Sequence, residues 1–472
     1  MPTPLDAVVV GAGPNGLAAA VTLARAGRRV TVLEGASTIG GGTRTEELTV
    51  PGLKHDVCSA VHPFGVASPF LTSLPLAEHG LVWRYPEIDL AHPLDDGTAG
   101  VLFRSLDETC ARLGADGPAW RRVFGPVAED FAELADDVFG PLVRVPRHPV
   151  RLTRFGLRAA LPAAVLARRF RTPRARALFA GSAAHVFRPL TRPATAGAGV
   201  MLTAAGHAYG WPVAEGGSSA ITGALASLLA EWGGAVITGH PVRHRSDVPA
   251  ARITLFDTSP ATVAEVYGDE LPARTRRAYR RHRYGAGAYK LDLAVRGGVP
   301  WTAEVARRAG TVHLGGTLEE IAHAEAEACA GRMPERPFVL VAQQSLADPT
   351  RAVGDLHPVW AYAHVPSGWT SSAEQAVLDQ LERFAPGLRE RVVASAVRTP
   401  ADFERDNPNY VGGDIAGGVN DLRQLVRRPR WGDPYATGVP GVYLCSSATA
   451  PGAGVHGMCG FRAATRALAA AP

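Results

Sequence analysis

The chain has 472 residues, and a single hydrophobic core stops growing at roughly 250–300 residues, so two domains are expected. Apolar residues make up 46% and charged residues 20%, which excludes a disordered or fibrous chain. The net charge of +5 is small for this length and is carried by arginine, Lys54 and Lys290 being the only lysines, so no nucleic-acid partner is expected.

The five cysteines, Cys58, Cys110, Cys329, Cys445 and Cys459, are odd in number and include no CxxC pair. That pattern argues against a disulfide framework, a dithiol relay and a zinc site, and no metal is expected. No secretory signal opens the chain, and no apolar run reaches the roughly 18 residues of a membrane span. The cytoplasm is the expected compartment.

In chain order, Asp6–Val10 reads as a buried parallel strand, because it is short and continuously apolar. The turn Gly11-Ala12-Gly13-Pro14-Asn15-Gly16 follows, then a small-residue helix over Leu17–Ala26 that Gly27 ends, and a second strand over Arg29–Leu33. Leu81–Leu94 and Thr98–Phe103 read as strands joined through Asp95-Asp96-Gly97. Residues 105–140 carry helical periodicity, and 144–192 read as several helices cut by Pro162, Pro173 and Pro189. A glycine turn and an amphipathic helix occupy Gly216–Gly234, followed by strands at Ala235–Thr238 and Ile253–Phe256. Further strands are expected at Tyr289–Val295, Phe338–Ser345 and Val359–Val365, and Gly441–Leu468 reads as strand, glycine turn and helix.

Gly11, Gly13 and Gly16 form GxGxxG between strand and helix. The first permits the tight turn, the second lets a pyrophosphate approach the backbone, and the third lets helix and strand pack closely. Pro14 and Asn15 lie in the same helix start, where free N–H groups and the positive dipole end attract phosphate. Glu34 closes the second strand, where a carboxylate can accept ribose hydroxyls. Gly40-Gly41-Gly42-Thr43-Arg44 then offers a second backbone approach and a fixed cation, which an NAD-only domain does not need. The expected cofactor is therefore FAD. The other GxGxxG, Gly452–Gly457, falls in the terminal turn before the last helix, and a separate NAD(P)H domain is not expected.

The stretch VVGAGPNGLAAAVTLARAGRRVTVLEGASTIGGGTRT resembles the phytoene desaturase-like flavoproteins. The resemblance is to their subgroup of pyridine-nucleotide-disulphide-oxidoreductase-domain proteins. It continues in HDVCSAVHPFGVASP, GWPVAEGGSSAITGAL, RYGAGAYKLDLAV, NPNYVGGDIAGG and GVPGVYLCSSATAPGAGVHGMCGFRAATRA, so it reaches from end to end. It implies an α/β fold of glutathione-reductase type. An FAD-binding Rossmann-like domain (1–75, 213–260 and 400–472) is interleaved with a substrate domain of mixed β-sheet plus helical cap (76–212 and 261–399). Gly41, Gly42 and Arg44 match the second phosphate loop, and Val242 matches the backbone contact beside adenine. Gly454, Val455 and His456 match the turn at the flavin's pyrimidine edge. Many relatives carry a carboxylate after the last strand. Here Cys445-Ser446-Ser447-Ala448-Thr449 has none, and Ser446 or Ser447 is left to hydrogen-bond instead.

Three side chains are candidates for chemistry. Lys290 shares a strand face with Asp292, and the resemblance to flavin amine oxidases suggests a place near N5. His62, in SAVHPFG, and His456 titrate near neutrality when unperturbed and could serve as acid or base. The expected activity is FAD-dependent dehydrogenation, desaturation or oxidation of a largely apolar small molecule. Amine oxidation through Lys290, a non-redox isomerisation and a non-catalytic lipid binder of the same fold are the alternatives. The electron acceptor is open among oxygen, a quinone and another protein. The arginine-rich stretch 151–171 reads as a cap over the cavity or as an interfacial helix giving peripheral membrane contact.

Overall fold

The computed structural model describes residues 5–470. The apolar run at the start forms the strand Leu5–Val10, which is the centre of a five-stranded, all-parallel sheet. Val30–Leu33 and Ala235–Ile237 lie to one side, and Ala251–Phe256 and Val442–Leu444 to the other. Three distant stretches of chain thus meet in one layer. The strand order diverges on either side of Leu5–Val10, and the crevice at such a point, beyond the strand C-termini, is where doubly wound sheets bind ligands.

The helix after the glycine turn runs Pro14–Arg25, three residues earlier than its apolar pattern suggests, with proline at its first position. Its small buried face lets the helices Met458–Ala470 and Ser219–Glu231 pack close against it. On the opposite face of the sheet, Val8, Val10 and Phe256 pack with Val263, Tyr267 and Tyr279. The helices Pro260–Tyr267 and Ala273–Arg280 therefore belong to this layer, although the sequence reading assigns them to the substrate insertion.

A second sheet has seven strands in the order Val392–Arg398, Gly287–Arg296, Leu356–Val365, Val339–Ala342, Ala309–Leu314, Ile88–Pro93 and Ala99–Leu102. All its pairs are antiparallel except Ala309–Leu314 with Ile88–Pro93. One face carries Leu291, Leu293, Val341, Val359 and Ala361 in a separate core, and the other turns Trp360, Tyr362 and Leu340 toward the cofactor layer.

One expectation needs correction, and two strands were missed. Leu81–Leu94 is not one strand: Trp83–Arg84 and Ile88–Pro93 are separate, with Pro86 between them unable to donate to a ladder. The helices of 144–192 are interrupted at Pro162, Pro173 and Pro189 as expected, Pro162 capping Ala163–Leu166 and Pro173 opening Pro173–Ala184, where the missing N–H costs nothing. The strands Ala309–Leu314 and Val392–Arg398 escaped the sequence reading. The first opens on Ala-Gly, and the second is a half-exposed edge following a charged helical turn.

Candidate cofactor and substrate site

A cavity of about 1580 Å3 runs along the C-terminal edge of the parallel sheet and under the second sheet. A pocket for one small ligand spans roughly 300–1,000 Å3, so this space has room for a dinucleotide and a second molecule. Gly11, Gly13, Pro14, Asn15 and Glu34 line one end, and Gly41, Gly42, Arg44 and Val242 join them there. Ser446, Gly454 and Val455 also face the cavity, as does His62.

The two glycine loops form one cradle. Gly11 has φ +101°, a left-handed conformation, and a Cβ there would lie 2.7 Å from the Asp257 carbonyl oxygen. A Cβ on Gly41 would stand 3.2 Å from Gly13 Cα, so the first and second loops touch backbone to backbone. Glu34 holds their shape: its carboxylate accepts the Ala12 N–H at 2.8 Å and the Ala36 N–H at 2.9 Å. Arg44 donates to the Thr38 carbonyl at 2.9 Å and reaches Glu34 at 3.4 Å. Asn15 Oδ1 is buried beside the turn with no partner. A side-chain-free groove with a carboxylate at one end, a guanidinium beside it and a helix N-terminus on its floor is chemistry that fits the pyrophosphate and ribose of FAD.

Asp257, at the end of the strand Ala251–Phe256, was not singled out from sequence. Its carboxylate accepts the Gly16 N–H at 2.8 Å and lies against Gly13, where a Cβ would be 2.8 Å from Oδ2. Burial raises its pKa to about 7, the Gly16 N–H opposing and the Glu34 charge reinforcing the shift. The strand that ends at Asp257 is the neighbour of the last strand, since Thr254–Phe256 pairs with Val442–Leu444. Ser446 Oγ meanwhile accepts the Ala448 N–H at 3.3 Å. The only sequence signal for Asp257 was an acidic residue ending a strand, the same signal that marked Glu34.

The segment NPNYVGGDIAGG closes the groove from above. Asn409 accepts the Ser259 N–H at 2.7 Å, and Tyr410 lies over Gly42. Buried Arg428 donates to the carbonyls of Ala416 at 2.7 Å and Ser447 at 3.1 Å, tying that segment to the last strand.

The three residues weighed for chemistry lie in different places. His62 faces the cavity with Nδ1 unpartnered, while Nε2 meets Ser218 Oγ at 2.8 Å. His456 does not face it: Nδ1 accepts the Met458 N–H at 3.0 Å, capping the last helix. Burial lowers both pKa values to about 4, so both imidazoles are neutral at neutral pH. Lys290 lies behind the cavity wall, fully buried, bonded to the Asp292 carboxylate and to the Asp56 carbonyl at 2.8 Å. Its pKa is lowered by burial, against the pull of Asp292. Gly16 likewise stands off the lining, beneath the turn, with its N–H spent on Asp257.

Fold and groove together define a flavoprotein oxidoreductase with FAD as its cofactor. A family model described as an NAD(P)-binding Rossmann-like domain matches residues 9–72. Pyridine nucleotide-disulfide oxidoreductase domain-containing protein 2 of Mus musculus is 28% identical, over 97% of this chain and 92% of its own. A neurosporene-forming phytoene desaturase of Rhodobacter capsulatus is 26% identical over 53% of this chain and 52% of its own. Putrescine oxidase bound to putrescine has the same fold, with a TM-score of 0.64, 19% identity, and coverage of 99% of this chain and 98% of that one. The chain is thus similar in sequence to flavin-dependent oxidoreductases and shares the fold of the amine oxidases.

Proposed function

We propose that the protein oxidises a largely apolar small molecule by hydride removal. The observation that carries this is the half of the cavity away from Glu34, walled by Phe64, Phe139, Leu152, Phe155, Met201 and Leu202. Such a wall excludes water and orients a ligand by shape. Bound FAD supplies the hydride acceptor at N5. The chain's own part is to hold the cofactor through the Glu34–Arg44 cradle and to keep a neutral His62 at the cavity wall. The Rhodobacter relative, named for phytoene, agrees with an apolar substrate. The test is anaerobic mixing with terpenoid and polyene candidates: bleaching of the flavin absorbance supports the reading, and no bleaching with any of them defeats it. An amine substrate has less support, because Lys290 is committed to Asp292 behind the wall.

A lipid surface is the proposed source of such a substrate. The helix Pro149–Ala159 has no buried residue, and Val150 and Leu157 are 65% and 71% exposed. Its Leu152 and Phe155 face the cavity, as do Leu422 and Leu425 of the helix Leu422–Arg427. Arg147, Arg151, Arg154, Arg423 and Arg427 interleave with these apolar residues. Exposed apolar groups set among arginines at a cavity mouth suit the headgroup boundary of an anionic bilayer. Among the described residues no helix is long and apolar enough to cross a membrane, so such contact would be peripheral.

A further inference from the structure

The second sheet presents to the cavity a patch of polar atoms that the oxidation of a pure hydrocarbon does not use. Thr311 and Trp360 both line the cavity. They are 1% and 5% exposed, and Thr311 Oγ1 and Trp360 Nε1 have no hydrogen-bond partner. Their strands are the second neighbours of one another: Thr311 pairs with Ala342, and Ala342 pairs with Trp360. In one row of one face, then, a hydroxyl and an indole N–H flank the small Ala342. Two orphaned polar groups in an apolar wall cost the folded protein free energy unless a ligand satisfies them.

The surroundings narrow the ligand. His313, two residues beyond Thr311 on the same face, meets His185 nitrogen to nitrogen at 3.1 Å, and His185 faces the cavity. Burial lowers the His185 pKa to about 3, so this pair adds neutral donor–acceptor capacity and no positive charge. Among the described residues, the sheet side chains that line the cavity here, Thr311, Leu340, Trp360 and Tyr362, include no lysine or arginine. The nearest cation, Lys290, 5.8 Å from the Trp360 ring, is already paired with Asp292, so a carboxylate would lose its hydration without gaining a free cation. An ammonium group has no lone pair for Trp360 Nε1–H, which only donates. A neutral oxygen with lone pairs and, for an alcohol, a proton of its own meets both groups.

Resting on the apolar-substrate reading, we propose that Thr311 and Trp360 form a subsite for a neutral oxygen function, a hydroxyl or carbonyl, on an otherwise apolar substrate. The hydrocarbon body fills the aromatic half of the cavity, and the oxygen end docks on the sheet. The subsite selects by the penalty of leaving its own groups unpaired, which rejects a ligand lacking the oxygen more strongly than an extra methylene would.

The experiment titrates the FAD-loaded protein with farnesene, farnesol and farnesoate at pH 8, reading dissociation constants from the flavin spectrum and calorimetry. The expected result is farnesol binding about tenfold tighter than farnesene, with farnesoate no tighter than the hydrocarbon. Thr311→Val, which keeps the shape and removes the hydroxyl, and Trp360→Phe, which removes the indole N–H, should each shrink the ratio of farnesene to farnesol dissociation constants. Farnesene binding with no preference for farnesol, or a preference that both variants retain, overturns the subsite alone. Failure of both farnesene and farnesol to bind overturns the apolar-substrate reading and the subsite with it.

Discussion

Asp257 makes the cofactor affinity depend on pH in a direction the cradle dictates. Its carboxyl lies under the glycine turn that receives the pyrophosphate and titrates near pH 7. A bound pyrophosphate disfavours a second negative charge, so the complex keeps the proton to a higher pH than the free protein does. Above pH 7, FAD binding must then take up one proton. Below pH 7 the carboxyl is already neutral and affinity is level. For one linked proton the expected loss between pH 6 and pH 8 is about tenfold in dissociation constant. Asp257→Asn keeps an acceptor for the Gly16 N–H and removes the titration. It should match the native protein at pH 6, bind about tenfold tighter at pH 8, and show a flat profile. Titration of the apo-protein with FAD at pH 6, 7 and 8, read by flavin fluorescence, measures all three. A native profile without slope, or a variant weakened equally at every pH, refutes the reasoning.

Glu34→Ala removes the acceptor of two backbone N–H groups, a loss of about 1–3 kcal/mol, and the same titration should show FAD bound at least tenfold more weakly. Lys290→Met leaves Asp292 buried without its cation and should destabilise the protein by about 3–5 kcal/mol, read by denaturant unfolding. A Lys290→Met, Asp292→Leu double variant should recover much of that loss, whereas slowed flavin reduction in a folded single variant would return Lys290 to the chemistry. Leu157→Glu should lower co-sedimentation with phosphatidylglycerol vesicles several-fold and leave FAD content unchanged; undiminished binding would remove the lipid-facing mouth.

The cofactor half of the site was legible because its signals are local. Glycines spaced for a turn, a carboxylate at a strand end and a second glycine run are contiguous in sequence, and each requires its residue type for a backbone reason. Glu34, Gly41, Gly42, Arg44 and even distant Val242 all line the cavity. Asp257 was missed because its partner, the Gly16 N–H, lies 241 residues away. Nothing near residue 257 announces a glycine turn. Thr311 and Trp360 were invisible for the same reason: their significance lies in a row across three strands, one of which opened on residues of low strand preference.

Lys290 shows how rarity and alternation can point to the right face and still leave the role open. Period-two alternation places Lys290 and Asp292 together, and the register confirms it, with Tyr362 and Trp360 opposite them on the same face. What alternation cannot tell is depth. The segment 54–59, which begins with the short strand Lys54–Asp56, passes between this strand and the cavity. Its Asp56 carbonyl accepts a hydrogen bond from Lys290 Nζ, its Asp56 carboxylate pairs with Arg351 at 3.1 Å, and Cys58 and Ser59 of the same segment face the cavity. His55 approaches Asp292 at 3.4 Å from the same loop. Buried polar groups of segment 54–59 thus meet the Lys290–Asp292 pair of the second sheet and Arg351 of the turn Pro349–Arg351. Truncating any one strands its partner, a cost that falls on stability before it reaches the flavin. Lys290, a catalytic candidate from sequence, makes its contacts here with Asp292 and with the Asp56 carbonyl of the segment that leads to Cys58.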